Sequence, residues 1–196
     1  MFTGVVQGLG HLRSSRAGEV EVELPRAMRD RLDVGASVAV NGVCLTVRGL
    51  YDDAFRADVS RETLSRTTLG GLRPGARVNL ELPVRPVDGL DGHLVLGHVD
   101  AVGRIQALYR EERNWIAIVS YPAERLRYVV EKGSIAVDGI SLTSYGIEGS
   151  SFRCSIVPET YERTTMQDRR SGDPVNLEFD ILAKYVERMM PFVHRD

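Results

Sequence analysis

The sequence predicts an all-β-dominated protein made of two similar domains, and three observations carry that prediction. A long segment recurs without a gap, the recurring segment holds a tight-turn pair between alternating apolar residues, and helical spacing is confined to short stretches and the C terminus. The repeat weighs most, because self-similarity over tens of residues constrains the architecture before any single element is assigned. Ser37-Val-Ala-Val-Asn-Gly-Val-Cys-Leu-Thr46 returns as Ser134-Ile-Ala-Val-Asp-Gly-Ile-Ser-Leu-Thr143. Glu62-Thr63 with Arg66-Thr67-Thr68 returns as Glu159-Thr160 with Arg163-Thr164-Thr165, and Val78-Asn-Leu-Glu81 as Val175-Asn-Leu-Glu178. Between Gly35–Glu81 and Lys132–Glu178, about 20 of roughly 47 positions are identical, too many for unrelated segments. The openings match less well, with Gly4, Val6 and Gly10 facing Gly97, Val99 and Gly103. The expected domains are therefore residues 1–97 and 98–179, followed by a C-terminal helix over 180–196.

Each half reads as antiparallel β. Asn41-Gly42 and Asp138-Gly139 sit between alternating apolar residues, and such pairs suit a two-residue turn with positive φ at both centres. The opposite face of each hairpin is small and weakly polar: Ser37, Ala39, Cys44 and Thr46, then Ser134, Ala136, Ser141 and Thr143. A solvated face would carry Lys, Glu or Arg, so something packs closely there, whether a flat ligand, the other domain or a second sheet. Pro25–Leu32 and Pro122–Val129 read as short helices with proline at the first position, and Ser60–Arg66 with Pro158–Arg163 as another matched pair. From Asp180, Ile181, Leu182, Tyr185, Val186, Met189 and Met190 recur at helical spacing, and Pro191 is expected to end the run. That stripe packs either on its own barrel or on copies from other subunits.

Composition excludes several classes. A net charge of -2 with both signs interspersed leaves no basic stripe for nucleic acid, and no apolar run approaches the roughly 20 residues of a membrane span. The N-terminal residues lack the basic and apolar regions of a secretory signal, so a cytoplasmic location is expected, with Cys44 and Cys154 as free thiols. His93 and His98 lie on opposite faces of an extended segment and suggest no shared metal, while His11 and His194 are expected at the surface. Without a Gly-x-Gly-x-x-Gly segment or a second α/β domain, a flavin-dependent reductase is a weak reading.

Assembled in order, these segments resemble the riboflavin synthases of the trimeric two-barrel family. The resemblance rests on Met1-Phe-Thr-Gly4, Val40-Asn-Gly-Val-Cys-Leu-Thr46, Glu62-Thr-Leu-Ser-Arg-Thr67, Gly92-His-Leu-Val-Leu-Gly-His98, Lys132-Gly-Ser-Ile-Ala-Val-Asp-Gly-Ile-Ser-Leu-Thr143 and Asp180-Ile-Leu-Ala-Lys-Tyr-Val186. It implies two homologous six-stranded Greek-key β-barrels, short helices, and a C-terminal amphipathic helix that holds a homotrimer. It implies an active site between barrels of neighbouring subunits, and a dismutation of two 6,7-dimethyl-8-ribityllumazine molecules to riboflavin and 5-amino-6-(D-ribitylamino)uracil. No metal or cofactor is implied; association with lumazine synthase is a further partner the resemblance raises. The alternative is a noncatalytic lumazine- or flavin-binding relative.

Matched residue by residue, the resemblance nominates Cys44, His98, Asp138 and Ser141 for the chemistry. His98, or a Ser141 hydroxyl paired with the Asp138 carboxylate, would move protons, and Cys44 would orient or add to one ligand. Ligand contacts are expected from Gly4, Val6, Ser37, Asn41, Thr46, Glu62, Thr63, Thr67 and Gly97 in the first half. In the second they are expected from Lys132, Thr143, Pro158, Thr160 and Thr164. Cys44 facing Ser141, and Asn41 facing Asp138, give the asymmetry that separate donor and acceptor roles require. Leu96, Asp91 and Ser144 depart from the family pattern, and none of them is nominated for the chemistry.

Overall fold

A computed structural model describes residues 1–193, and His194 lies outside the described residues. The first half forms β1 (Gly8–Arg16), β2 (Glu19–Glu23), β3 (Ser37–Val40), β4 (Val43–Leu50), β5 (Ala54–Asp58) and β6 (Arg77–Glu81). These close into an antiparallel barrel in the order β1-β2-β5-β4-β3-β6. The second half forms β7 (Ala101–Glu111), β8 (Asn114–Ser120), β9 (Ser134–Val137), β10 (Ile140–Glu148), β11 (Ser151–Ile156) and β12 (Pro174–Phe179), closed in the equivalent order. Alternation fills each interior: Val38, Val40, Leu45, Val47, Phe55 and Leu80 in the first barrel, Ile135, Val137, Leu142, Phe152 and Leu177 in the second. Closure also leaves no unpaired sheet edge.

The turn residues have the geometry their chemistry demands. Asn41 and Gly42 have φ of 46° and 74°, and Asp138 and Gly139 have 48° and 77°. The two turns abut, because a Cβ on Gly42 would stand 2.7 Å from the Gly139 nitrogen, and one on Gly139 equally close to Gly42. Around them, Asn79 Nδ2 donates to the Asp138 carbonyl and Asn176 Nδ2 to the Asn41 carbonyl, at 2.9 and 2.8 Å. The side-chain oxygens of the same asparagines accept from the Thr165 and Thr68 amides across the joint. Thus the Val-Asn-Leu-Glu repeat contributes a reciprocal, buried hydrogen-bonded joint.

Three helical expectations are modified. Pro25 caps a four-residue helix, α1 (Arg26–Arg29), rather than starting one that reaches Leu32, and its counterpart is a 3-10 helix, Ala123–Tyr128. Each packs few residues onto a barrel, too little to stabilise a longer helix. The second pair forms as α2 (Arg61–Arg66), capped by Ser60, and α3 (Pro158–Arg163). The C-terminal α4 (Ile181–Val193) passes through Pro191 instead of stopping there. So near the helix end, the missing proline N–H removes one intrahelical bond without ending the element. Lys184 to Asp100 (2.5 Å) and Arg127 to Glu187 (2.6 Å) tie α4 to the second barrel. Among the described residues, no helix is long and apolar enough to cross a membrane.

Candidate active site

The small hairpin face is covered by backbone. The Cys44 amide donates to the Gly97 carbonyl at 2.9 Å, and the Ser141 amide to the Gly4 carbonyl at 2.8 Å. The strand-like segment leading into each barrel therefore lies on the hairpin of the other. Phe2 and Val95 bridge these two segments and bury Ala39 and Ala136 beneath them, so that part of the face is an interdomain contact. Gly4 and Gly97, both at φ 80°, make the approach possible: a Cβ there would stand 2.7 Å from Ser141 Cβ and 2.5 Å from Cys44 Cβ.

Beside each contact opens a cleft. The first, about 360 Å³, is lined by Val43 and Cys44 of β4, Glu62, Thr63, Arg66 and Thr67 around α2, Gly97 to Asp100, and Arg125. The second, about 400 Å³, is lined by Ile140 and Ser141 of β10, Glu159, Thr160, Arg163 and Thr164 around α3, Gly4 to Val6, and Asp91-Gly92. Apart from Asp100 and Arg125 in the first and Asp91-Gly92 in the second, these are equivalent positions of the repeat, and the clefts share no residue. Thr46 lies on an adjoining hollow with Cys44 and Thr63. The Thr67 and Thr164 hydroxyls each donate to the carbonyl four residues earlier, at 2.7 Å, and accept the amide two residues later, so they terminate α2 and α3.

The reacting positions differ. His98 and Cys44 share the first cleft, where Val5 and Ser141 are the counterparts in the second. Ser141 does not pair with Asp138: its Oγ lies 2.7 Å from Nδ1 of His93. Burial depresses the His93 pKa, with Asp180 opposing weakly, so the imidazole is neutral at pH 7 and can take the serine proton. Its Nε2 is buried and has no hydrogen-bond partner among the described residues. Cys154 is wholly buried, and burial drives its thiol far up in pKa, so it is inert.

Several nominated residues stand elsewhere. Asp138 is buried and lines neither cleft; its Oδ2 meets Arg169 at 2.6 Å and its Oδ1 accepts the Asn176 amide at 2.8 Å. Burial pushes its carboxyl up in pKa while the Arg169 guanidinium pulls against it. Asn41 is buried in the equivalent turn, its Oδ1 on the Asn79 amide. Both placements have one cause: a turn residue with positive φ folds its side chain back onto its own barrel, Asp138 onto Arg169 and the Asn176 amide, and Asn41 onto the Asn79 amide, with its Nδ2 left unpartnered among the described residues. Ser37, Lys132, Thr143 and Pro158 also line neither cleft. Lys132 is an exposed left-handed position (φ 60°) where the first half has Gly35.

Residues that the sequence reading passed over are equally informative. Arg66, Glu159 and Arg163 were visible as repeat identities. Arg125 reaches the first cleft from the second barrel, and His93 reaches Ser141 from the linker, placements no local pattern reveals. Glu81 and Glu178, also repeat identities, are buried carboxylates that hold the covering segments. Asp91, one of the departures from the family pattern, lines the second cleft.

Two barrels of one topology, each with a cleft built from the same repeat positions, define a two-domain binder of a pair of similar small ligands. The Lumazine binding domain model matches twice, at residues 3–83 and 96–180. Riboflavin synthase of Mycobacterium bovis is 46% identical over 97% of this chain and 98% of its own length. Those of Photobacterium phosphoreum (40%, covering 97% and 89%) and Bacillus amyloliquefaciens (35%, covering 100% and 91%) are similar end to end. Among solved structures, LumP complexed with riboflavin superposes with a TM-score of 0.82 over 91% of this chain and 99% of that one, at 24% identity. LumP with 6,7-dimethyl-8-(1'-D-ribityl) lumazine gives 0.81 over the same shares, at 22% identity. The chain belongs to the riboflavin synthase family.

Proposed function

We propose that the chain is a riboflavin synthase: it binds two molecules of 6,7-dimethyl-8-ribityllumazine and transfers a four-carbon unit from one to the other. The products are riboflavin and 5-amino-6-(D-ribitylamino)uracil. The observation that carries this reading is the paired clefts, alike in their helix and hairpin residues and unlike at Cys44/His98 against Ser141/Val5, with His93 behind Ser141 alone. A dismutation needs two like sites for identical substrates and unlike groups to make one donor and one acceptor. Holding both ligands in register supplies much of the rate, since effective-molarity gains reach roughly 7 to 11 kcal/mol. In the second cleft, neutral His93 accepts a proton through Ser141 from the acidic methyl group of a bound lumazine. In the first, Cys44 and His98 orient the other ring and return a proton. Asp138 supports this arrangement from the joint.

Purified protein given dimethylribityllumazine alone is expected to produce riboflavin, followed by its absorbance and fluorescence. Cys44→Ala is expected to lower turnover at least tenfold, about 1.4 kcal/mol of transition-state stabilisation, with ligand still bound. Cys154→Ala should turn over near the native rate despite a loss of core packing. Binding without turnover would instead make the chain an antenna-like relative, and equal rates for the two cysteine variants would remove Cys44 from the chemistry.

The clefts share no residue, and in this reading the two ligands meet where clefts of different subunits face each other. This reading therefore includes a homotrimer in the cytoplasm, with lumazine synthase as a further partner. On α4, Leu182, Tyr185, Val186, Met189 and Met190 are each more than half exposed, an apolar face suited to subunit packing. Truncation before Asp180 should yield monomers by sedimentation with little loss of β content; a trimeric truncated chain would exclude α4 as the assembly element.

A further inference from the structure

Glu81 ends β6 and Glu178 lies next to the end of β12, at equivalent places in the repeat, and their residues are only 3% and 4% exposed. The N-terminal amine acts on Glu81 and Lys184 on Glu178 only through space, without a direct ion pair among the described residues. Backbone amides satisfy them instead. Glu178 accepts the Leu96 amide at 2.7 Å, the Gly97 amide at 2.9 Å and the His98 amide at 3.0 Å. Glu81 accepts the Thr3 amide at 2.7 Å, the Thr3 hydroxyl at 2.8 Å and the Gly4 amide at 3.0 Å. A carboxylate is the one side chain that offers only acceptors, so it alone receives this many donors with both oxygens.

The segments so held do not serve the barrel that holds them. Glu178 belongs to the second barrel, yet Gly97 and His98 line the first cleft, with the Gly97 carbonyl on the Cys44 amide. Glu81 belongs to the first barrel, yet Gly4 lines the second cleft, with its carbonyl on the Ser141 amide. We propose that Glu81 and Glu178 are crossed positioning residues, each fixing the backbone that completes the reactive cleft of the other barrel. The clefts are thereby assembled only when both barrels are folded and docked. The inference rests on the reading of the clefts as the ligand sites. It adds that a buried group outside each cleft sets its geometry, and that damage to one barrel is felt in the other's cleft.

The test uses the full chain with Glu178→Gln and Glu81→Gln, which keep shape but place an NH2 against the amides. Cys44 is half-buried and Cys154 fully buried, so an aromatic disulfide reagent reads Cys44 alone. Glu178→Gln is expected to speed Cys44 labelling about fivefold by loosening the Gly97 cover, with Glu81→Gln within about twofold of native. Both should lower kcat about tenfold or more through misplacement, more than they raise KM. Labelling that rises equally in both variants, or in neither, overturns the crossed arrangement. If either variant fails to fold, hydrogen exchange in the unaltered protein decides: the Leu96, Gly97 and His98 amides should be protected, and exchange at open-chain rates overturns the proposal. Neither labelling nor exchange depends on turnover. A native protein that makes no riboflavin would therefore refute the enzymatic reading and leave this one standing.

Discussion

Gly97→Ala is expected to cost at least about a hundredfold in turnover, because it displaces backbone against a reacting group by a large part of an ångström. The position combines two demands. Its φ of 80° lies in the left-handed region, which costs a residue with a Cβ roughly 1–2 kcal/mol. Beyond that, the new Cβ would stand 2.5 Å from Cys44 Cβ and 2.8 Å from its nitrogen, contacts that neither strand can relieve without breaking the Cys44–Gly97 hydrogen bond. Gly75→Ala separates the two demands, since Gly75 has φ 89° and open space where its Cβ would go. It should lose about 1–2 kcal/mol of stability in urea and keep its turnover. Gly4→Ala, 2.7 Å from Ser141 Cβ, should behave like Gly97→Ala. If Gly97→Ala and Gly75→Ala lost the same stability and both turned over normally, the close approach would not be what requires glycine.

Arg169→Leu should be the most destabilising single change at the interbarrel joint. Asp138 is 1% exposed at its side chain and Arg169 14%, and stripping the partner from a buried charge costs about 3–5 kcal/mol. The first half shows the uncharged solution: Asn41 stands where Asp138 does and Leu72 where Arg169 does, with the Asn41 oxygen still on the Asn79 amide. Asp138→Asn with Arg169→Leu should therefore recover most of the loss, to within about 1 kcal/mol of native. The pH dependence has a definite sign. Burial raises the folded-state pKa of Asp138, so its contribution is fully present below the unfolded carboxylate range and is lost as pH rises through the folded value. Removing Arg169 raises that pKa further. The deficit of Arg169→Leu should accordingly be large at pH 7 and shrink as pH falls toward 4, whereas the double variant should show no such recovery. The double variant should also retain turnover within about threefold. A stable but inactive double variant would return Asp138 to the proton-transfer chemistry.

These two experiments fall on either side of what was legible before the structure. The repeat, the paired hairpins and the family motifs led to Cys44, Ser141, Thr63, Thr160, Gly4 and Gly97, because equivalent positions in a repeat occupy equivalent places in space. Asp138 beside Gly139 was legible as a turn, and its functional assignment came only from the motif around it. Its side chain faces Arg169, 31 residues later in the same barrel, while its carbonyl accepts Asn79 Nδ2 across the joint. His93 was set aside as unlikely metal chemistry, yet it meets Ser141 across 48 residues.

The sequence by itself determined the duplication, the β class, the tight turns and the asymmetry between Cys44 and Ser141. Those properties follow from local backbone preferences and from identity at a constant offset, both of which a single chain displays. Only the tertiary structure decided that each leading segment crosses to the other barrel, that Arg125 enters the first cleft and His93 stands against Ser141, and that Glu81 and Glu178 hold the covers. Such choices rest on contacts between residues far apart in the chain, 48 from His93 to Ser141, 78 from Thr3 to Glu81 and 82 from Leu96 to Glu178. No periodicity encodes these pairings; they arise because a buried carboxylate must find donors, and for Glu81 and Glu178 alike these are the amides of the segment that leads into its own barrel.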